Sequence, residues 1–263
     1  MSGTEPQRIA SRDNPLLVRL RKLAQDPGAY RKLGEIWLEG DHLCRALRAR
    51  GVPAKRALLS ERGWADADLR ELAAWAAAVT VLPDALFAGI GGLASPAAIG
   101  FVIELPAAAP IDPNAASVVL DRVQDAGNVG SVLRSAAALG VTQVLALSGT
   151  AGLWSPKVLR AGMGAHFALR LVEGLHPDEL AALALPLVAT SSHTSAVLHR
   201  VALPSPCAWV FGHEGQGVSP DLLARCALTV SIPQPGGEES LNVAAAAAIC
   251  LYEAVRRADA SPR

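Results

Sequence analysis

The spacing of apolar residues in the first hundred positions predicts alternating helices and strands. Leu16, Leu17, Leu20 and Leu23 recur at helical spacing, and basic residues occupy the opposite face. Further helical patterns lie at 41–51 and 68–78, and short apolar runs predict strands at 34–40, 56–60, 79–82 and 101–105. The pattern therefore predicts a small α/β domain over residues 1–105.

Residues 85–103 carry no charge, which raises the question of a membrane segment. Four glycines and Pro96 interrupt this stretch, so it predicts a buried strand and turn rather than a membrane span. GIGGLA at 89–94 imitates a dinucleotide-binding fingerprint, but Pro96 is incompatible with the helix that should follow. We therefore expect neither a membrane segment nor a dinucleotide site here.

A second pattern begins after a proline-rich stretch. Pro106, Pro110 and Pro113 predict a stiff linker over residues 106–116. Helices near 129–139 and from Ser155–Pro156 onward alternate with short apolar runs, at 117–121, 143–147, 167–172, 186–189, 208–211 and 228–232. This alternation predicts an α/β domain over 117–263, whose parallel sheet would bind its ligand where strands end.

Composition and charge narrow the class of protein. Of the 263 residues 51% are hydrophobic and 18% charged, which favours a packed core and excludes wholesale disorder. The net charge is zero, yet residues 1–56 contain 12 Lys/Arg against 6 Asp/Glu. This basic end favours a polyanionic partner, although a solvated helix face would give the same count.

Cysteine spacing and the N-terminus exclude several further classes. Cys44, Cys207, Cys226 and Cys250 are scattered, without a CxxC pair or a histidine at ligand spacing. We therefore expect buried reduced thiols and no metal. The first residues, MSGTEPQRIASRDNP, lack the apolar core of a signal peptide, so a cytoplasmic location is expected.

Three polar loops follow predicted strands in the second domain. The first loop, LDRVQDAGNVGSVLRSAAALG (120–140), carries Asn128 and, within the following helix, Arg134. The second loop, WVFGHEGQGVSP (209–220), contains Glu214 and closely spaced glycines that allow close backbone approach. The third loop, SIPQPGGEESLNVAAAAAIC (231–250), leads through Ser240, expected as an N-cap, and Asn242 into an alanine-rich helix.

These three loops together resemble motifs of the SpoU/TrmH family of S-adenosylmethionine-dependent RNA 2′-O-ribose methyltransferases. SPKVLRAGMGAHF, between the first and second loops, is similar to a further family segment. IASRDNPLLVRLRKL and EIWLEGDHLCRAL resemble the RNA-binding domain of members that modify ribosomal RNA. Departures are Ala126, His213, Gln234 and the AAIG sequence at 97–100, which stand where proline, a small or amide residue, methionine and a glutamine–glycine ending are more usual.

The resemblance implies a trefoil knot, a homodimer with its active site completed across the interface, S-adenosylmethionine as cofactor, and ribosomal RNA as substrate in preference to tRNA. The implied catalytic set is Arg134, Asn128, Glu214, Ser240 and Asn242. The implied cofactor-binding set is Gly212, Gly217, Ile232, Leu241 and Asn242. The basic face expected to bind RNA is Arg12, Arg19, Arg21, Lys22, Arg31 and Lys32.

Within that catalytic set, we expect Arg134 to grip a phosphate and stabilise alkoxide character at the ribose oxygen. Asn128 and Glu214 would orient Arg134 and fix the loops, while Ser240 and Asn242 would hold the acceptor end of the cleft. Two alternatives stay open at this point: an RNA-binding protein that keeps the scaffold without chemistry, and an NAD-dependent oxidoreductase on a doubly wound sheet.

Overall fold

The computed structural model describes residues 5–91, 97–236 and 240–260, which fall into two compact units. The first unit comprises Met1–Ala107 with Trp154–Phe167, and the second comprises Ala108–Leu153 with Ala168–Arg263. The sequence predicts domains at 1–105 and 117–263 joined by a linker at 106–116. That prediction does not assign Trp154–Phe167 to the first unit.

A five-stranded mixed sheet forms the centre of the first unit. Its strands are β1 (Gln7–Arg8), β2 (Glu35–Glu39), β3 (Arg56–Ser60), β4 (Val79–Leu82) and β5 (Ile99–Glu104). They lie in the spatial order β1-β4-β3-β5-β2. β5 is antiparallel to both β2 and β3, whereas β4 is parallel to β1 and β3. The four strands predicted from the apolar runs are confirmed.

Six α-helices of the first unit lie between Pro15 and Gly91 of the chain. They are α1 (Pro15–Gln25), α2 (Ala29–Leu33), α3 (Asp41–Ala49), α4 (Glu61–Ala65), α5 (Ala67–Ala73) and α6 (Asp84–Gly91). The prediction of a strand and turn over 85–103 is wrong for its first part, because Phe87 and Ile90 bury one face of α6. Residues 92–96, which complete the GIGGLA stretch and include Pro96, lie outside the described residues.

A six-stranded, wholly parallel sheet forms the centre of the second unit. Its strands are β6 (Ser117–Asp121), β7 (Gln143–Leu147), β8 (Arg170–Leu175), β9 (Leu187–Thr190), β10 (Ala208–Gly212) and β11 (Leu228–Val230). Their spatial order is β11-β9-β10-β6-β7-β8. The predicted parallel sheet is therefore confirmed, while the trefoil knot stays a prediction.

Four α-helices follow β6 in the chain. They are α7 (Ala126–Ala138), α8 (Pro156–Gly162), α9 (Pro220–Leu223) and α10 (Val243–Ala260), with short 3-10 helices at Ala165–Ala168 and Pro177–Ala182. The 3-10 turn at Ala165–Ala168 delays β8, so the strand expected at 167–172 begins at Arg170. α7 and α10 pack against each other in the second unit.

α8 is the element that returns to the first unit. It packs against α1 and β2, with Val158 and Leu159 buried. Ser155 stands at its N-cap and Pro156 at its first position, as predicted, although the Ser155 side chain makes no capping hydrogen bond. Across the described residues of both units, every helix is too short or too polar to cross a membrane.

Candidate active site

The carboxyl ends of four parallel strands bring their loops together at one edge of the second sheet. Gly212, at the end of β10, pairs with Asp121 at the end of β6, and Val230 of β11 pairs with Thr190 of β9. A cavity of about 1130 Å³, here called the strand-end cavity, lies among these loops. Its described lining is 190–193, 212–218, Leu223, 231–234, 240–243 and Ala246.

Glu214 joins the second loop to the first. Its Oε1 accepts hydrogen bonds from the backbone N–H of Asp125 (3.0 Å) and from Asn128 Nδ2 (3.1 Å). Its Oε2 accepts from the backbone N–H of Gln124 at 3.2 Å. One carboxylate thus satisfies three donors around the N-terminus of α7, where negative charge is also favoured by the helix dipole.

These donors lower the pKa of the Glu214 carboxyl group. Partial burial alone would raise the pKa of its carboxyl group. The hydrogen bond from Asn128 and those from backbone N–H groups, including Asp125 and Gln124, outweigh that effect and lower the pKa to about 2. Glu214 is therefore a fixed negative charge on the cavity wall.

Asn128 and Asn242 join the first loop to the third. Asn242 Nδ2 donates to Asn128 Oδ1 at 2.9 Å, while Asn242 Oδ1 accepts from the backbone N–H of Ala244 (2.9 Å) and Ala245 (3.2 Å). A carboxylate can only accept and a backbone N–H can only donate, so this chain of bonds fixes both amide orientations. Glu214, Asn128 and Asn242 form one network across all three loops.

Asn242, not Ser240, caps the alanine-rich helix. α10 begins at Val243, and the Asn242 side chain satisfies two of its first N–H groups. The capping role expected for Ser240 is therefore wrong, because Ser240 lies two positions before the residue that caps the helix; it lines the strand-end cavity instead. The acidic pair Glu238–Glu239 lies outside the described residues.

His213 organises the turn that carries Glu214. Its Nδ1 accepts from the backbone N–H of Gly215 (3.0 Å) and Gln216 (3.3 Å), and its backbone exchanges two hydrogen bonds with Gly217. From the sequence, His213 stands out only as a departure from the small or amide residue that is more usual at this position. An asparagine or aspartate accepts in the same way in an Asx turn, which explains why this turn needs an acceptor side chain.

The backbone at Gly217 lies so close to position 212 that only glycine fits there. A Cβ atom at this position would lie 2.1 Å from the carbonyl carbon of Gly217, so any larger residue would push the two ends of the second loop apart. Gly217 itself has φ +68, the left-handed region that favours glycine.

Asp121 and Arg122 fasten the first loop to the far end of the second. Asp121 is buried, and its carboxylate accepts from the backbone N–H of Ser219 (2.6 Å) and from Arg122 Nε (3.0 Å). Arg122 also donates to Gln216 Oε1 at 2.9 Å, from a backbone with φ 59 that is uncommon for a residue with a side chain. The second loop is thus held to the first at both of its ends.

Comparison with known proteins identifies the family of this chain. Residues 115–252 match the SpoU rRNA Methylase family, more than half of the chain. The chain belongs to that family.

Similar proteins cover three quarters of the chain or more. A 23S rRNA (guanosine(2553)-2'-O)-methyltransferase of Bacillus subtilis is 31% identical over 84% of this chain and 88% of its own. A 23S rRNA (uridine(2479)-2'-O)-methyltransferase of Streptomyces viridochromogenes is 31% identical over 76% of this chain and 79% of its own. The crystal structure of the SpoU methyltransferase AviRb from the latter organism, in complex with AdoMet, superposes with a TM-score of 0.86 at 27% identity, covering 95% and 100% of the two chains.

The motif positions of this SpoU methylase converge at the strand-end cavity, with one exception. Gly212, Gly217, Ile232, Leu241 and Asn242, expected from the resemblance to contact the cofactor, all line it. Glu214 and Ser240 line it too, and Asn128 is one hydrogen bond from both Glu214 and Asn242.

Arg134 is the exception. It is exposed on α7, does not line the cavity of its own chain, and makes no hydrogen bond or ion pair within the part of the chain that the structure describes. No hydrogen bond to Arg134 is made by Asn128 or Glu214, which instead bond to each other, to Asn242 and to backbone N–H groups.

The charged side chain in the described lining of the strand-end cavity is acidic. Its described lining contains one carboxylate, Glu214, and neither lysine nor arginine. In the described residues, no group of three or more His, Cys, Asp or Glu side chains is placed to hold a metal ion. The cavity therefore favours a ligand with positive charge over one that carries phosphates.

Sequence reasoning missed the loop after β9. Thr190, Ser191, Ser192 and His193 line the cavity alongside the three predicted loops. The signal was present, since TSSHTS directly follows a predicted strand, and a strand next to β10 must end at the same edge.

The basic residues predicted to bind RNA lie on α1, on α2 and in the turn before α1. Arg12, Lys22, Arg31 and Lys32 are exposed, and Arg31 stacks over Tyr30 with its guanidinium 4.8 Å from the ring centroid. Arg19 is partly neutralised by Glu35 (2.7 Å), and Arg21 donates to the Arg12 carbonyl. Binding of RNA by these residues stays a prediction, and Arg19 is the least available of the cations.

Proposed function

We propose that this chain is an S-adenosylmethionine-dependent RNA 2′-O-ribose methyltransferase that acts on ribosomal RNA in the cytoplasm. The observation that carries the proposal is the hydrogen-bonded network of Glu214, Asn128 and Asn242, which binds the three family loops into one wall beside the strand-end cavity. Relatives named as 23S rRNA 2′-O-methyltransferases support the substrate class.

The cavity's charge supports the cofactor. S-adenosylmethionine, when bound, supplies a methyl group activated by a positively charged sulfonium. Glu214 is an ionised carboxylate on the cavity wall, hydrogen-bonded by Asn128 and backbone N–H groups, and would favour a positively charged ligand. A dinucleotide-binding fold usually holds the pyrophosphate on a G-x-G-x-x-G loop at a helix N-terminus, and none of the three loops at the cavity has that fingerprint. This argues against the oxidoreductase alternative.

In a homodimer, Arg134 of one subunit would lie at the strand-end cavity of the other. Leu241 lines the cavity and is 39% exposed; Ala245, Ile249 (40% exposed) and Tyr252 (60% exposed) continue along the same side of α10 at helical spacing. This apolar stripe, which starts at the cavity, is suited to a second copy of the chain. Arg134 is exposed on α7, which packs against α10, and can then face the cavity of the partner.

Arg134 would act on the acceptor ribose as a cation. A guanidinium stays protonated in proteins and is a poor general base, but it binds phosphate well. We assign it to grip the phosphate next to the target ribose and to stabilise negative charge on the 2′-oxygen. The bound cofactor would supply the methyl group, and Arg134 would help the 2′-hydroxyl lose its proton to phosphate or water.

The first unit would supply sequence-independent RNA affinity. Lys22 and Lys32 are exposed cations, so reversing both charges should weaken RNA binding and reduce its dependence on salt. Unchanged affinity in filter binding would mean that these residues form only a solvated face.

Methyl transfer from tritiated S-adenosylmethionine to unmodified ribosomal RNA tests the function. We expect incorporation by the wild-type protein and none by Arg134→Ala, with cofactor affinity in calorimetry unchanged in that variant. Cofactor binding without incorporation by the wild type would favour an RNA-binding protein that has lost the chemistry. Full turnover by Arg134→Ala would remove Arg134 from the mechanism. Mapping ribose methylation in cells that lack the protein identifies the nucleotide.

A further inference from the structure

Gln234 carries an unsatisfied acceptor on the wall of the strand-end cavity. It follows β11 by four positions and lines the cavity beside Ile232 and Pro233. Its Oε1 atom is buried and has no hydrogen-bond partner among the described residues. A buried acceptor without a partner is costly and uncommon in folded proteins, so its retention calls for an explanation.

The position of this atom points to a ligand rather than to a packing fault. Trp209 Nε1 is the other partnerless buried side-chain atom in the described part of the second unit, and Trp209 does not line the cavity. Gln234 therefore places an orphaned, buried acceptor in the wall of a cavity that a ligand would fill.

The surroundings define the group that it would accept from. Ile232 and Pro233 precede Gln234 along the same wall, and Val218 and Leu223 also line the cavity. A flat apolar ring with a donor on its edge suits such a surface. Adenine has that form, with its exocyclic 6-amino group as the donor. The ammonium group of the cofactor has a better partner in Glu214, the one carboxylate in the described lining.

We propose that the Gln234 side-chain carbonyl accepts a hydrogen bond from the 6-amino group of the cofactor's adenine and so selects adenine over other bases. The inference rests on the proposed function, since it takes the cavity to hold S-adenosylmethionine. Gly212, Ile232 and Leu241 are expected from the family resemblance to contact the cofactor. The proposal adds Gln234, whose side chain would distinguish adenine from other bases.

Calorimetry with two ligands tests the assignment. The probes are S-adenosylhomocysteine and its analogue in which purine, lacking the 6-amino group, replaces adenine. The wild type should bind the adenine compound about tenfold more tightly, because the analogue leaves the acceptor unpaired. Gln234→Met, which has similar volume and no such acceptor, should bind the two compounds about equally. Equal binding by the wild type, or an undiminished preference in Gln234→Met, would overturn the assignment.

Two further measurements separate this role from a structural one and from the proposed function. Gln234→Glu keeps an acceptor at the same reach and should restore the preference for adenine; loss of preference there contradicts the proposal. Unliganded Gln234→Met should unfold at the same temperature as the wild type or higher, because it removes an orphaned acceptor. A lower temperature would indicate that Gln234 serves the fold. Binding of neither ligand by the wild type would refute the proposed cofactor itself.

Discussion

Asn242 donates its side-chain Nδ2 to Asn128 Oδ1 at 2.9 Å, across 114 positions of sequence. The same Asn242 side chain caps α10 through its oxygen, and the same Asn128 side chain donates to Glu214. A residue that only capped the helix could be serine, aspartate or threonine equally well. The bond to Asn128 additionally requires a donor, which an ionised aspartate lacks and which the Asn242 amide supplies from an atom separate from its capping oxygen.

Substitution of Asn242 should therefore separate the cap from the network. Asn242→Asp keeps the acceptor for Ala244 and Ala245 but loses the donor, so we expect near wild-type stability with methyl transfer reduced roughly tenfold, the effect of one lost hydrogen bond. Asn242→Ala should lose activity and about 1 kcal/mol of unfolding free energy as well. Chemical denaturation and the methyl-transfer assay measure the two effects.

A matched control exists in the first unit. Asp66 caps α5 by accepting from the backbone N–H of Asp68 and Leu69, far from the cavity in sequence and in a different unit. Asp66→Ala should cost similar stability and leave cofactor affinity unchanged. If Asn242→Asp behaves like the wild type in the assay, the bond between the two asparagines has no role beyond structure.

Glu214 should make the second unit sensitive to acid. Its folded pKa is about 2, below the ordinary value of 4.5, so its contribution to stability is complete above pH of about 4.5 and is lost as the pH falls towards 2. Glu253, whose hydrogen bonds from Arg256 and Arg257 lower its pKa to about 2, should act over the same range.

Two variants separate these contributions. Glu214→Gln and Glu253→Gln should each flatten the fall in unfolding midpoint between pH 4.5 and 2. Only Glu214→Gln should also weaken cofactor binding, since Glu253 lies in α10 away from the cavity lining. An acid-dependence in Glu214→Gln as steep as in the wild type would show that this carboxylate is not stabilised in the folded state.

His213 should tolerate asparagine but not alanine. Asparagine can accept from the N–H groups of Gly215 and Gln216 in an Asx turn, whereas alanine leaves both without their partner. We expect His213→Ala to lose about 1 kcal/mol of stability and to bind cofactor more weakly, because the turn positions Glu214. His199→Ala, an exposed histidine of the same unit outside the cavity lining, is the control. Equal thermal melting and cofactor affinity in both alanine variants would contradict a role for the His213 ring.

Sequence alone predicted the meeting of the three loops because that inference rests on strong regularities. Apolar runs located the parallel strands that end near Asp121, Gly212 and Val230, and parallel strands end at a common edge. The family resemblance then identified the motif residues on those loops. The loop after β9 lacked such a motif, although the sheet places it at the same edge.

The capping residue of α10, the helix α6 and the return of one segment to the first unit depend on tertiary geometry. The spacing of residues along the sequence does not specify that geometry. Serine and asparagine are both favourable N-cap residues, and Ser240 and Asn242 stand only two positions apart. Composition therefore does not tell which of them caps the helix. Helix α6 was missed because glycines at 89 and 91 suggested a turn, whereas burial of Phe87 and Ile90 decided the local structure. The return of Trp154–Phe167 to the first unit is a tertiary contact that apolar periodicity does not specify.

A complementation experiment tests whether Arg134 acts across a dimer. An Arg134→Ala chain and an Asn242→Ala chain, carrying different affinity tags, are co-expressed and the mixed dimers are isolated by both tags. If the guanidinium reaches the cavity of the partner, one of the two sites in each mixed dimer keeps both residues, and we expect about half of the wild-type turnover. If Arg134 serves the cavity of its own chain, both sites lack one residue and turnover is lost. The reciprocal control pairs a doubly substituted chain with a wild-type chain. It should be inactive when Arg134 acts across the interface and about half-active when it does not, so the two arrangements give opposite results in the two dimers.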